Sequence, residues 1–125
     1  MNEKKIGIIM LTKHSKKYLE HSPKQAADAI KRFREFHKRW GDKVKGLHFY
    51  HASGIEKFDT LAVWEVSDIG DWIAYYEELM REFGDDYEYV ETYVGINDRY
   101  WEQAMNETEY FTNLKKEMFG KSYRE

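Results

Sequence analysis

Residues 46–66 read GLHFYHASGIEKFDTLAVWEV, and the division of this stretch decides the fold. GLHFYH and TLAVWEV carry the β-branched and aromatic side chains that suit strands, and the connection between them holds Ser53 and Gly54. Two successive strands are thus flanked by segments of helical period. Upstream, Ser22 is placed to cap a helix that opens on Pro23 and stops near Gly41, with a stripe of Ala26, Ile30, Phe33, His37 and Trp40. Downstream, Ser67 or Asp68 caps a second helix, in which Ile69, Trp72, Ile73, Tyr76, Met80 and Phe83 keep helical spacing up to Gly84. KIGIIMLT, residues 5–12, is a short apolar run consistent with a buried strand, and YEYVETYVG, residues 87–95, alternates as a fourth. Beyond Asn97-Asp98 a third helical pattern runs through Trp101, Ala104, Met105, Thr108, Phe111 and Met118.

The order β-α-β-β-α-β followed by a helix predicts an α+β fold of the ferredoxin-like type. Residues 1–97 are expected to form this domain and residues 98–125 a C-terminal helical extension. A single four-stranded sheet with helices on one side leaves its other side bare. Two such sheets paired across a two-fold axis cover each other, so a homodimer or higher homo-oligomer with a dimeric α+β barrel is expected. The last helix either embraces the partner or caps its own barrel.

The chain has 125 residues, enough for one domain with a sizeable core. Its 20 Lys+Arg against 23 Asp+Glu leave a formal net charge of −3, and it has neither a polybasic run nor a phosphate-binding glycine loop, which argues against nucleic acid as a partner. Cysteine is absent, which excludes disulfides, thiolate metal sites and cysteine nucleophiles. No run approaches the roughly 18 apolar residues of a membrane span, and the apolar start is too short for a signal peptide, so a cytoplasmic location without membrane contact is expected. Aromatic residues make up 17% of the chain, including ten tyrosines and four tryptophans, more than packing alone requires. Such side chains suit a pocket or a subunit interface.

In the third strand Leu61 and Val63 fit the helix-covered face, with Thr60, Ala62, Trp64 and Val66 on the other. In the fourth strand Val90, Thr92 and Val94 separate in the same way from Tyr89, Glu91 and Tyr93. One side of the sheet thereby gathers bulky aromatic and polar groups around the small Ala62, leaving room for a ligand.

Tyr50-His51-Ala52-Ser53-Gly54-Ile55, then Asp59, Trp64-Glu65, Asp68 and Trp72, resemble in order and spacing the haem-binding half of the chlorite dismutase family, which includes the coprohaem decarboxylases. The likeness is ungapped from Tyr50 to Trp72 and runs more loosely to Gly95. It implies haem b as cofactor, with His51 as the iron's proximal ligand, Tyr50 and Ala62 beside it, and Trp64 at the distal, catalytic position. The family's proximal carboxylate corresponds best to Glu102, with Glu91 as the alternative. A neutral imidazole suits this role, and its second ring nitrogen is ordinarily held by such a carboxylate. Departures from the family's pattern limit the chemistry implied. Chlorite-degrading members hold arginine, and many decarboxylases glutamine, where this chain has Trp64. An indole offers one N–H in place of a donor fork, which argues against chlorite dismutation. The acidic turn is altered to Glu56-Lys57, the second N-terminal repeat is lacking and a homodimer would replace it, and the decarboxylases' reactive tyrosine has no counterpart that aligns.

The resemblance thus implies a haem-binding protein and, if it is an enzyme, an oxidoreductase that acts on peroxide or another small oxidant. The alternatives are a haem-free barrel that binds a small apolar ligand and a cofactor-free monooxygenase. His51 also reads as a residue that caps its turn, His48 faces away from His51 on a regular strand, and His37 reads as a core or interface histidine. His14 and His21 fall in a lysine-rich loop and read as solvated.

Overall fold

The computed structural model describes residues 3–51, 57–97, 100–101 and 109–120. Ile6–Gly95 form one compact unit, and the residues preceding Ile6 belong with those from Ile96 onward in a second. In the first unit, strand β1 (Ile6–His14) is followed by a single helical turn, α1 (Lys16–Leu19), and by helix α2 (Pro23–Lys38). Strands β2 (Val44–His51) and β3 (Thr60–Val66) precede helix α3 (Ile69–Phe83), a 3₁₀ turn at Gly84–Asp86 and strand β4 (Tyr87–Ile96). The sheet has the order β2-β3-β1-β4, with β3 antiparallel to both β1 and β2. This is the expected ferredoxin-like α+β architecture.

The helices begin where the sequence places them. Ser22 Oγ accepts the Gln25 N–H at 3.2 Å while Gln25 Oε1 accepts the Ser22 N–H at 2.9 Å, a reciprocal cap that satisfies two donors at once. Asp68 Oδ1 accepts the Gly70 N–H at 2.7 Å and starts α3.

Core packing lies on the helix side of the sheet. Ile6, Ile8 and Met10 of β1 are buried there together with Val44 of β2 and Trp64 and Val66 of β3. Phe36 of α2 and Trp72, Tyr75, Leu79 and Phe83 of α3 close over them. The sheet faces are therefore reversed from the expectation: Ala62, Trp64 and Val66 lie beneath the helices, and Leu61 and Val63 are on the other side. Alternation is symmetric between faces, and the large Trp64 ring is what fills the gap between layers, 6.0 Å from Trp72 and 5.4 Å from Tyr75. The α3 stripe is shifted in the same way, with Tyr75 and Leu79 inside and Ile69 and Ile73 largely exposed. In α2, Phe36 is fully buried although it stood outside the expected stripe.

Strand β2 contains an irregularity that positions the site. Gly46 pairs with Trp64 but His48 pairs with Val63, so Leu47 is an extra residue, a β-bulge. Beyond it Phe49 stands opposite Ala62 and His51 opposite Thr60, both on the helix side. A regular strand would have put His48 and Tyr50 there instead.

In the second unit, Asn97 ties down the chain near the start. Its Oδ1 accepts the Lys5 N–H at 2.7 Å and its N–H donates to the Lys5 carbonyl at 2.8 Å. Helix α4 (Glu109–Phe119) realises part of the third helical pattern. It ends at Gly120, whose φ of 88° permits its N–H to bond the Lys116 carbonyl at 2.8 Å.

Candidate functional site

Between the sheet and the first half of α2 lies a cavity of about 460 Å³, a size suited to a small organic ligand. Its origin is visible in α2. Phe36 is in the core and Phe33 packs against it while also lining the cavity, whereas Ala29 and Ile30, earlier in the helix, meet the cavity and not the core. Ile30 remains 51% exposed as a result. On the sheet side the short Ala62 leaves the space that a larger side chain would fill, with Phe49 and Trp64 as aromatic walls. Arg34 borders the opening.

The structure brings together three of the residues singled out from the sequence. His51, Ala62 and Trp64 all line the cavity. Trp64 is fully buried, and its indole N–H finds no hydrogen-bond partner among the described residues. His37 Nδ1 and the Tyr75 hydroxyl are likewise buried without a partner, and their rings lie 5.3 and 5.4 Å from that of Trp64. Unpaired buried polar atoms cost about 1–3 kcal/mol each, and of these three residues Trp64 is the one that lines the cavity. Burial lowers the His37 pKa, which keeps its imidazole neutral near pH 7. Burial raises the Tyr75 hydroxyl pKa strongly, so Tyr75 stays protonated.

Tyr50 is not brought to the cavity. It pairs with Leu61 on the open face of the sheet, 57% exposed, because neighbouring strand residues point to opposite sides. His48 shares that face and stacks with Tyr50, their centroids 6.0 Å apart. Glu102 lies outside the described residues. Its alternative, Glu91, makes a long ion pair of 3.9 Å with Lys57. Among the described residues no group of three or more His, Asp or Glu side chains could hold a bare metal ion.

The residues that the sequence reading passed over are at the cavity's other end. His14 is not a solvated loop residue: it closes β1 and lines the cavity. Its Nδ1 lies 2.8 Å from Asp59 Oδ1, and its backbone N–H donates to Asp59 Oδ2 at 2.9 Å. Asp59 is placed there by its own N–H, which donates to the Thr12 carbonyl at 2.9 Å, and the Thr60 hydroxyl donates to Oδ1 at 3.0 Å. Partial burial alone would raise the Asp59 pKa, but the bonds from His14 and Thr60 outweigh it and hold the carboxyl below its ordinary value. Tyr18, from α1, stacks on the His14 ring at 4.2 Å, and the Tyr87 ring lies 5.4 Å away. Burial, reinforced by Asp86, raises the pKa of both tyrosine hydroxyls. Extending the alternation Ile6, Ile8, Met10, Thr12 by two residues was the signal for His14, since it places that ring on the same face as Thr12.

Neither a protein-family profile nor a curated protein matches the sequence. Solved structures do match in shape. A mutant chlorite dismutase from Candidatus Nitrospira defluvii superposes with a TM-score of 0.68 at 13% identity over 77% of this chain. The chain covers 41% of that protein's length. The hydroxynitrile lyase of Passiflora edulis gives 0.57 at 13% identity, over 78% of this chain and 96% of the lyase. A dimeric ferredoxin-like protein of unknown function from Thermobifida fusca gives 0.52 at 13% identity, over 76% and 92% of the two chains. At this level of identity the likenesses show the fold, and the chain is an α+β protein of the ferredoxin-like type.

Proposed function

We propose that the cavity under α2 binds a small, flat and mostly apolar molecule, and that haem b is that molecule, held through His51. The observation that carries this reading is the convergence on one cavity of His51, the small Ala62 and Trp64 with its unpartnered buried N–H. The residues fit the group. His51 supplies an imidazole, Phe49 and Ile30 supply apolar walls, and Arg34 at the opening suits a carboxylate. Bound haem would supply redox chemistry toward peroxide or another small oxidant. The chain's own part would be to hold the group through His51 and to exclude water with the aromatic walls, among them Trp64. Trp64 provides no acid or base, so turnover with peroxide is expected to be slow.

A homodimer belongs to this reading. Ile9 and Val63 are paired at the middle of the open sheet face, with Tyr50 exposed on the same side, and one structural neighbour is itself described as dimeric. No helix among the described residues is long and apolar enough to cross a membrane.

A second reading is favoured by a specific observation, the His14–Asp59 pair on the same cavity: a haem-free protein that binds an organic ligand, or a cofactor-free oxygenase. Optical titration with haemin separates the two. Haem binding through His51 predicts a Soret band that saturates at one haem per chain, disappears in His51→Ala and persists in His48→Ala. Ala62→Leu, which fills the cavity, should block binding while the protein stays folded. An unsaturable signal, or equal binding by His51→Ala, would remove haem and leave the second reading.

A further inference from the structure

His14 has the construction of a base. A carboxylate has only lone pairs to offer, so the bond of 2.8 Å to Asp59 Oδ1 requires the proton on Nδ1. In the neutral form of the ring the lone pair is then on Nε2, which has no hydrogen-bond partner among the described residues. Tyr18 on one side and Tyr87 near it confine the ring, and the Asp59 carboxylate is itself fixed by two further donors, the His14 backbone N–H and the Thr60 hydroxyl. The charged and titratable groups against His14 are Asp59 at the entry to β3, Tyr18 from α1 and Tyr87 at the entry to β4, and Asp86, Arg34 and His51 line the same cavity. Both tyrosines keep their protons, and a carboxylate that is so fully engaged is a poor base, so among these groups the free lone pair belongs to His14; His51, the other imidazole on the cavity, has no carboxylate partner among the described residues.

We propose that His14, oriented by Asp59, is a catalytic general base that removes a proton from a carbon or oxygen acid on a planar aryl compound bound in the cavity. The proposal rests on the cavity's being open to small organic molecules and is independent of haem. In the step, the Nε2 lone pair takes the proton and the electron pair of the broken bond moves onto an oxygen of the substrate. The Asp59 carboxylate faces the imidazolium so formed, as in other carboxylate–histidine pairs. The walls select the class of substrate. Phe33, Phe49 and Ile30 take a flat ring, and Arg34 on the same cavity favours an anionic product. Asp59 is a positioning residue: it sets the tautomer and orientation of the ring without touching substrate.

The test uses a nitrobenzisoxazole as probe. Removal of its ring C–H proton turns the C–H electron pair into the third bond of a nitrile and breaks the N–O bond, which releases a coloured cyanophenolate with no co-reactant. Calorimetric binding of a nitrobenzotriazole, a planar analogue that cannot react, is measured in parallel. Saturable release that falls about 100-fold or more in His14→Ala, with the analogue still bound, is the expected result. Asp59→Asn provides a second variant. The His14 backbone N–H needs an acceptor and holds the new amide's oxygen, so its NH₂ faces Nδ1 and moves the ring proton to Nε2. Turnover should fall by a similar factor, and long-range nitrogen–proton NMR correlations should show the exchanged tautomer, which a merely structural role for Asp59 would not produce. Analogue binding together with turnover that neither substitution changes, or with no turnover in the wild type, overturns the base and leaves the cavity as a binding site. Absence of both binding and turnover overturns both.

Discussion

At the residue scale, the decisive contact in this protein is Asp59 with His14. The carboxylate sits at the junction of two strands, where the Thr12 carbonyl receives its N–H and the His14 N–H meets its second oxygen. Because these bonds favour the ionised form, the folded-state pKa of Asp59 lies below the unfolded one. A carboxyl lowered in this way contributes stability that is fully present above its unfolded value, about 4, and is lost as the pH falls through its folded value. Wild type is therefore expected to exceed Asp59→Asn in denaturation midpoint near neutral pH, with the gap closing as the pH drops below about 4. A gap of constant size down to the acid transition would show that the ionised carboxylate is not what stabilises the junction. Asp59 was legible as a residue of the resemblance, but its partner was not. Nothing within a few residues of either side chain announces a contact across 45 positions.

At the scale of elements, the β2 bulge determines which side chains reach the cavity. Gly46 lies at its start, and a Cβ there would stand 3.2 Å from the Phe49 ring and 3.3 Å from that of Trp64. Phe49 is half-exposed and can yield, but Trp64 is locked by His37, Trp72 and Tyr75. The restricted backbone of alanine returns part of a kilocalorie, against the 1–3 kcal/mol typical of overpacking, so Gly46→Ala should destabilise the protein by about 1 kcal/mol. Chemical denaturation would measure it. An unchanged or raised midpoint would mean that the rings shift freely and the bulge is loosely packed. Helix starts, in contrast, were readable because their causes are local. Ser22 with Gln25, and Asp68 with Gly70, close their hydrogen bonds within three residues.

At the scale of the whole molecule, the open face of the sheet predicts self-association. Val63 pairs with Ile9 on one side and His48 on the other, in the middle of this face. Val63→Lys places a charge where a second copy would pack and leaves the helix-side core untouched. Sedimentation should give twice 15.1 kDa for the wild type and 15.1 kDa for the variant. A wild type that sediments as a single chain at tens of micromolar would rule out the paired sheets. What the sequence by itself determined is the order of elements, their caps and the alternation along each strand, because caps and periodicity are set by neighbours a few positions apart. Tertiary structure alone decided which face the helices cover, because a period of two looks the same from both sides until Trp64 meets Trp72 and Tyr75. It also decided that Leu47 is the extra residue that turns His51 toward the cavity, and that His14 meets Asp59, because both depend on the register between strands, which arises only when distant segments pair.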